Sequence, residues 1–490
     1  MKKSLLLASA LLCAASSFAS SKDGQADAED VKRSVDPTTY ADFEGFHLEN
    51  RWILCHALDD NFTDYIQSSV YITSVPMDGV VYISNAYNGY AAIDKYDMVS
   101  GRFLGTIALT VDGAQLEDAG PAAICNLMKD DYGHLVFHAY CASVGYATNS
   151  AGETVANGLN LYKVDDLETG ACSKVATLAT PEEEWDKPVA RVDYSSIYGD
   201  VTGENDKCII MAAASNTNIS VFRWELEQGT TEWKGGFPDK NEDELADVIW
   251  DVETIKTYPK DQSMWSTGSS CAIVKSDPTL FYVDGNTTCP VLYDLNGNMV
   301  DGCGLYDSEQ GEVVQNVPSE WLPVTATNGV CEFEIGGKNF IAYSNNQYNI
   351  APYGDVRIIR ATENYEWSEE AGAAMAWSSV PAIDILKEAN AVKDGRRLTS
   401  IAVEKLTDEN GKDGAYVTIY RVGCSLAVYS IGEEGWQDPN GQVDGIEDIV
   451  ADEVEGAAKY YNLQGVEVAN PENGLYIVKR GNKVAKELVK

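Results

Sequence analysis

The side chains best suited to chemistry are scarce in this chain. Histidine occurs four times, as His47, His56, His134 and His138. The last two have the i, i+4 spacing of a zinc-binding helix. Leu135, however, stands where that motif needs its glutamate base, and Leu135-Val136-Phe137 reads as a strand. On a strand the two rings lie about 13 Å apart, too far to share a metal. No metal ligands are therefore assigned, and no histidine-based nucleophilic triad is supported. Asp294-Leu295-Asn296-Gly297-Asn298 imitates the start of a calcium loop, but Met299 occupies the required glycine position and Leu305 that of the bidentate glutamate. Hairpin-turn chemistry explains this cluster. No cofactor is expected; a calcium site of another type, in a channel, is the alternative left open by the strong negative charge.

Ten cysteines follow the leader: Cys55, Cys125, Cys141, Cys172, Cys208, Cys271, Cys289, Cys303, Cys331 and Cys424. Several lie inside apolar strands, where cysteine behaves as a small buried hydrophobe. Most are expected to be reduced, with Cys289 and Cys303 the best candidates for a pair. Recognition chemistry is better represented. Three polar loops carry asparagine and tyrosine: Asn85, Tyr87, Asn88 and Tyr90; Asn216 and Asn218; Asn345, Asn346 and Tyr348. These are the candidate ligand-binding residues, because asparagine amides hydrogen-bond and tyrosine rings stack on a sugar or peptide.

The elements that must position these loops repeat. An alternating strand leads into an acidic residue, an apolar residue, two mostly polar residues and glycine, as in Asp97-Met98-Val99-Ser100-Gly101. The glycine recurs at Gly170, Gly229, Gly297 and Gly435. A glycine-less copy is expected near residue 366, after the strand Val356–Arg360. Period-2 alternation marks antiparallel strands, and each glycine marks a turn that needs positive φ. About six units of roughly 67 residues result, and repeats of this size bury their sheet faces only against neighbours. The expected fold is all-β: a six-bladed β-propeller over 41–440, or a seven-bladed one if the units are shorter, plus a small C-terminal β unit over 446–490. A two-sheet sandwich with extra domains is the runner-up. In a propeller the three asparagine-tyrosine loops, from blades one, three and five, project from one face. The acidic run 239–253 reads as an amphipathic helix between blades or a solvated face.

The chain has 490 residues, with 36 Lys+Arg against 76 Asp+Glu and a net charge of −40. That balance disfavours nucleic acid and anionic membranes as partners. No apolar run long enough to span a bilayer occurs after the N-terminus. Residues 1–19 read as a signal peptide: Lys2 and Lys3, an apolar run from Leu5 to Ala15, and small residues at Ser17 and Ala19 for cleavage. Residues 20–40 read as a linker.

Residues 459–490 carry six basic residues against three acidic ones. Leu475–Val478, with turns at Asn473-Gly474 and Gly481-Asn482, predicts a short antiparallel meander. The segments Tyr461-Asn462-Leu463-Gln464-Gly465-Val466, Gly474–Val478, Gly481–Val484 and Val489-Lys490 resemble the C-terminal sorting domain of type IX secretion substrates. The resemblance implies export by that machinery, to the outer-membrane surface or beyond. The body resembles a β-propeller without the repeat motifs of a catalytic propeller family. Together these features predict an exported, non-catalytic binding protein for a glycan, peptide or partner protein, located in the periplasm, on the surface or outside the cell. A polysaccharide-active or metal-dependent hydrolase or lyase is the alternative.

Overall fold

A computed structural model describes residues 40–43, 45–55, 73–87, 90–116, 126–138, 145–148, 154–179, 191–215, 219–235, 248–249, 270–285, 288–302, 305–307, 312–314, 329–344, 355–360, 373–377, 399–421, 425–440, 459–461, 467–468, 474–480 and 483–489. It divides the chain into two units, 1–440 and 441–490. The predicted signal peptide and nearly all of the linker lie outside the described residues.

In the first unit, six sheets with antiparallel four-stranded cores follow one another along the chain, with a separate two-stranded ribbon, Leu305–Asp307 and Glu312–Val314, after the fourth. Blade 1 runs Ser74–Met77, Val80–Tyr87, Tyr90–Asp97, Phe103–Ala108. Blade 2 runs Asn126–Lys129, Leu135–His138, Thr154–Asp166, Ala171–Ala179. Blade 3 is Arg191–Gly199, Cys208–Ser215, Ile219–Leu226, Trp233–Gly235. Blade 4 is Ser270–Ile273, Leu280–Gly285, Thr288–Asp294, Met299–Gly302. Blade 5 is Val330–Ile335, Lys338–Ser344, Asp355–Arg360, Ala373–Trp377. Blade 6 is Thr399–Thr407, Asp413–Arg421 and Ser425–Glu433, and its fourth strand is the N-terminal segment Phe46–Cys55. The first strand of each blade packs against the first strands of both neighbours, and blade 6 meets blade 1, so the ring closes. This is a six-bladed β-propeller.

The recurring turn found in the sequence joins the third and fourth strands of blades 1 to 4. In blade 6 no fourth strand follows it, which explains the degenerate copy at Gly435: the N-terminus supplies that strand. Near residue 366 the third and fourth strands of blade 5 are present and the link between them lies outside the described residues. The acidic run departs from the helix reading where it is described, since Val248–Ile249 is a strand on the third strand of blade 3.

Apolar residues fill the seams between blades. Ile209, Cys271, Tyr282, Tyr293 and Tyr343 belong to the cluster joining blades 3 to 5, while Phe46, Phe333, Phe340 and Tyr429 join blades 5 and 6. Innermost strands have one open edge, so their N–H groups need other partners. Side chains from the adjacent blade supply them. Leu127 N donates to Thr73 Oγ1 (2.6 Å), Ser74 N to Ser400 Oγ (3.1 Å) and Ile273 N to Ser196 Oγ (3.2 Å).

Gly101 shows why the repeat needs glycine. Its φ is +66°, and a Cβ there would lie 2.7 Å from the Trp52 indole, whose Nε1 donates to Met98 O at 2.8 Å. Gly229 shares the positive φ (+77°) but faces nothing within 4 Å. Gly101→Ala should therefore cost about 2–4 kcal/mol, from backbone strain plus overpacking, and Gly229→Ala only about 1 kcal/mol. Denaturant midpoints of the two variants check this; equal losses would show that the Trp52 contact is unimportant.

The second unit is a four-stranded antiparallel sheet in the order Glu467–Val468, Lys459–Tyr461, Gly474–Arg480, Lys483–Val489. Arg480 and Lys483 are antiparallel register partners on either side of the predicted Gly481-Asn482 turn, whose own residues lie outside the described residues. The order differs from a meander. The short strand Glu467–Val468 pairs one edge of Lys459–Tyr461, and Gly474–Arg480 pairs the other.

Candidate functional site

Strand direction sorts the connections onto two ends of the ring. First-to-second and third-to-fourth turns share one end; second-to-third hairpins and blade-to-blade crossovers share the other. The first can be called the aspartate end, because its turns are capped by aspartates. Asp294 Oδ1 accepts from Asn296 N and Asn298 N, both at 2.8 Å, and Asp408 Oδ1 accepts from Asn410 N and Lys412 N at 2.7 and 2.9 Å. Against desolvation, the Asn298 amide, donating to Asp294 Oδ2 at 2.9 Å, and then these backbone bonds hold Asp294 below the usual carboxylate range. The calcium-like motif is thus a self-capped turn.

The predicted binding loops belong to the crossover end. Asn85 is buried, and its amide donates to Asp94 Oδ2 at 2.7 Å, while Thr106 Oγ1 donates to Asp94 Oδ1 at 2.6 Å. Asp94 is itself buried; desolvation lifts it to about 6 against the pull of those two bonds. This bracket fixes the base of the blade 1 hairpin. Tyr87 and Tyr90 are register partners that close it, and Tyr90 is half-buried. The strands flanking the other two loops, Cys208–Ser215 with Ile219–Leu226 and Lys338–Ser344 with Asp355–Arg360, also turn at this end. Asn88, Asn216, Asn218, Asn345, Asn346 and Tyr348 lie outside the described residues.

Beneath the loops the wall is polar and buried. Asn126, register partner of the fully buried His138, donates to Ser195 Oγ at 2.7 Å. Asp284 ends the second strand of blade 4, is fully buried, and accepts from Ser270 Oγ through Oδ1. Its Oδ2 has no hydrogen-bond partner. Burial raises Asp284 to about 7, opposed by Ser270 and by the backbone N–H groups of Gly329 and Ser270. Sequence patterning could not find this carboxyl: Val283-Asp284-Gly285 reads as an ordinary strand end.

At the aspartate end, Asp130, His134 and Asp200 bring ligand atoms within 4.8 Å of one another. The sequence signal was thin, since Asp200 belongs to the next blade. The group also explains itself without a metal. Asp130 Oδ2 accepts from His134 Nδ1 (2.8 Å) and Val201 N (3.0 Å), and its Oδ1 from Tyr132 N and His134 N. Asp200 accepts from Thr202 N and Oγ1 and from Asn205 N and Nδ2. Asp130 ties blade 2 to blade 3 through Val201 N, while Asp200 caps its own turn with His134 Nδ1 3.6 Å away. Glu332 and Glu404 do similar work, accepting from Lys275 N (3.0 Å) and Asp78 N (2.7 Å), and each keeps one buried oxygen without a partner. Desolvation lifts Glu332 to about 7.

Of the cysteines, Cys172, Cys208 and Cys271 are free and buried and Cys331 is free and half-buried; burial raises all four thiols. The Cys289 and Cys303 side chains lie outside the described residues. Among the described residues no helix is long and apolar enough to cross a membrane.

The strand order defines a six-bladed propeller closed by its own N-terminal strand. No family model matches the chain, and no curated protein matches it. Among solved structures it is similar to a DUF4623 family protein from Bacteroides eggerthii, at 11% identity over 82% of this chain and 78% of that one, with a TM-score of 0.48. It is also similar to the WD40 domain of Toxoplasma gondii coronin (9% identity, 81% and 88% covered, TM-score 0.38) and to a GH43 endo-arabinanase from Bacillus licheniformis (9%, 74% and 99%, TM-score 0.30). The six-blade assignment rests on this chain's own strand order.

Proposed function

We propose that the chain is an exported, non-catalytic binding propeller of the bacterial envelope or surface that takes an extended polar ligand, a glycan or a peptide, at its crossover end. What supports this reading is that the strands flanking the blade 1, 3 and 5 loops all turn at that end, with Tyr87 and Tyr90 as register partners two residues beyond Asn85 and the Asn85–Asp94–Thr106 bracket fixing the strands there. A rigid base lowers the ordering cost that a binding loop bears. Tyrosines at such tips stack on sugar or peptide faces. The C-terminal unit is read as the export address.

A glycan array and a peptide array on residues 20–490 would identify the ligand. Tyr87→Ala/Tyr348→Ala should then weaken binding about five- to 150-fold with little change in melting temperature. A variant that melts several degrees lower and binds unchanged would place the tyrosines in the core and the binding face elsewhere. Deleting 446–490 should leave the propeller folded and hold it in the periplasm.

Asp284 favours the second reading, a polysaccharide-active hydrolase. Desolvation lifts its carboxyl to about 7, in the range for proton transfer, and the reading requires a ligand-bound state that exposes this fully buried group. Turnover of an array-positive glycan, abolished by Asp284→Asn with binding retained, would establish that reading.

A further inference from the structure

Three blades contribute to one small group of charges at the aspartate end of the central channel. Glu404 belongs to the innermost strand of blade 6, and Lys129 ends the innermost strand of blade 2. Blade 1 lies between them, and Asp78 follows its innermost strand. Side chains from blades 6 and 2 therefore meet across the inner strand of blade 1. Glu404 is 7% exposed, and its Oε1 accepts from Asp78 N at 2.7 Å, which fixes the carboxylate against blade 1. Lys129 Nζ stands 3.8 Å from the same oxygen, beyond hydrogen-bonding distance, with 27% of its side chain exposed. Among the described residues the ammonium has no other polar partner.

The second oxygen of Glu404, Oε2, is buried and has no hydrogen-bond partner. A buried carboxylate oxygen in that condition costs free energy until a donor reaches it. The unmet needs of the pair are of opposite kind and lie side by side: the carboxylate oxygen lacks a donor, and the ammonium lacks an acceptor within bonding distance. A metal ion placed there is repelled by the ammonium, and an anion by the carboxylate. A neutral hydroxyl meets both needs, because it donates one hydrogen bond and accepts another. The pair thus favours a neutral hydroxyl over either sign of charge. The Asp78 N–H bond holds the carboxylate in place beforehand, which lowers the ordering cost of binding.

We propose that Lys129 and Glu404 form a subsite for a hydroxyl group of a neutral sugar at the aspartate end of the channel. The hydroxyl donates to Glu404 Oε2 and accepts from Lys129 Nζ. The subsite is opposite the crossover end and independent of whatever the asparagine-tyrosine loops bind.

The test uses residues 20–490 and four neutral sugars, glucose, galactose, mannose and xylose, at millimolar concentration, read by saturation-transfer NMR. At least one should receive saturation from the parent protein. Lys129→Met keeps the aliphatic stem and removes the ammonium; Glu404→Gln keeps the shape and removes the charge. Each should raise the dissociation constant of that sugar about tenfold, the loss of one hydrogen bond to a charged group. Tyr87→Ala/Tyr348→Ala should leave it unchanged, which separates this subsite from the crossover end. Melting curves check the fold of each variant. Should Glu404→Gln melt lower, Lys129→Met decides, because its ammonium makes no hydrogen bond to the fold among the described residues. Saturation of none of the sugars would mean that water alone occupies the pair, and overturns the proposal. Binding by Lys129→Met equal to the parent overturns it as well. A loss in the tyrosine double variant would move the sugar to the crossover end and overturn the subsite. Displacement of the sugar by calcium or phosphate at equal concentration would overturn the preference for a neutral group.

Discussion

Asp438→Ala is expected to open the propeller at its closure, at a cost of roughly 3–5 kcal/mol. The ring is sealed by Phe46–Cys55 as the fourth strand of blade 6, hydrogen-bonded to Ser425–Glu433. Among the described residues this strand is the sheet-bonded link between the two ends of the ring, so its loss leaves them joined by the packing of blade 6 against blade 1. Residues 433–440 fold back over it. Asp438, whose side chain is 4% exposed, pairs with Arg51 on the closing strand and accepts from Tyr416 Oη at 2.6 and 2.7 Å. Asparagine at 440 adds its N–H to the same carboxylate at 2.9 Å. Burial and then the Asp438 contact push the Tyr416 phenol upward. Removing the carboxylate leaves a largely buried guanidinium with only a longer contact to the exposed Glu49 (3.8 Å), which is why breaking such a pair costs more than its formation contributes. Trp436 completes the latch. A Cβ on Gly414 or Gly432 would come within 2.2 or 2.4 Å of its ring, so both positions must be glycine. The readout is the denaturant midpoint together with proteolysis at residues 45–55. Asp438→Ala and Gly432→Ala should both lower the midpoint and expose that strand to cleavage. A protected strand in Asp438→Ala would show that the sheet bonds alone hold the ring shut.

Much of this architecture is legible in the sequence because its signals are local. The Asp-to-Gly turn is written within five residues, since the aspartate caps its own N–H groups and the glycine takes the positive φ. Spacing of that motif then gives the blade number. The closing strand was not legible, because pairing Phe46 with Glu433 is a relation across the whole chain. Nor was the strand order of the C-terminal unit, where Lys459–Tyr461 accepts partners on both edges. The site was legible only as loops. Asn85 was expected to face a ligand; the structure shows its amide engaged with Asp94, nine residues on along the neighbouring strand, so it acts below the surface. Asp284, Glu332 and Glu404 carry no motif. Their character comes from burial and from an oxygen left without a partner.

Stability is expected to fall as pH rises from about 5 to about 8, the reverse of the usual carboxylate behaviour. Asp94, Asp284 and Glu332 are buried, and desolvation lifts them to about 6, about 7 and about 7. In the unfolded chain they lose their protons near pH 4. Between that value and the folded one, the folded chain keeps protons that the unfolded chain has released. The stabilisation is therefore complete below about pH 4 and disappears as pH climbs through 6 to 7. Shifts of this size correspond to roughly 2–4 kcal/mol per group before relaxation. The turn aspartates act with the opposite sign. Asp200 is held at about 2 by its hydrogen bonds despite some desolvation, so its contribution is present at neutral pH and lost on acidification. The two sets leave a maximum between about pH 4 and 6. Denaturant midpoints at pH 5, 6.5 and 8 should decline in the parent and flatten in Asp284→Asn and further in Asp284→Asn/Glu332→Gln. Asparagine and glutamine match the neutral acids in shape and cannot ionise, so at pH 8 each variant should be at least as stable as the parent. A parent midpoint that holds or rises from pH 5 to 8 would mean that these carboxyls ionise in the fold with partners that compensate them.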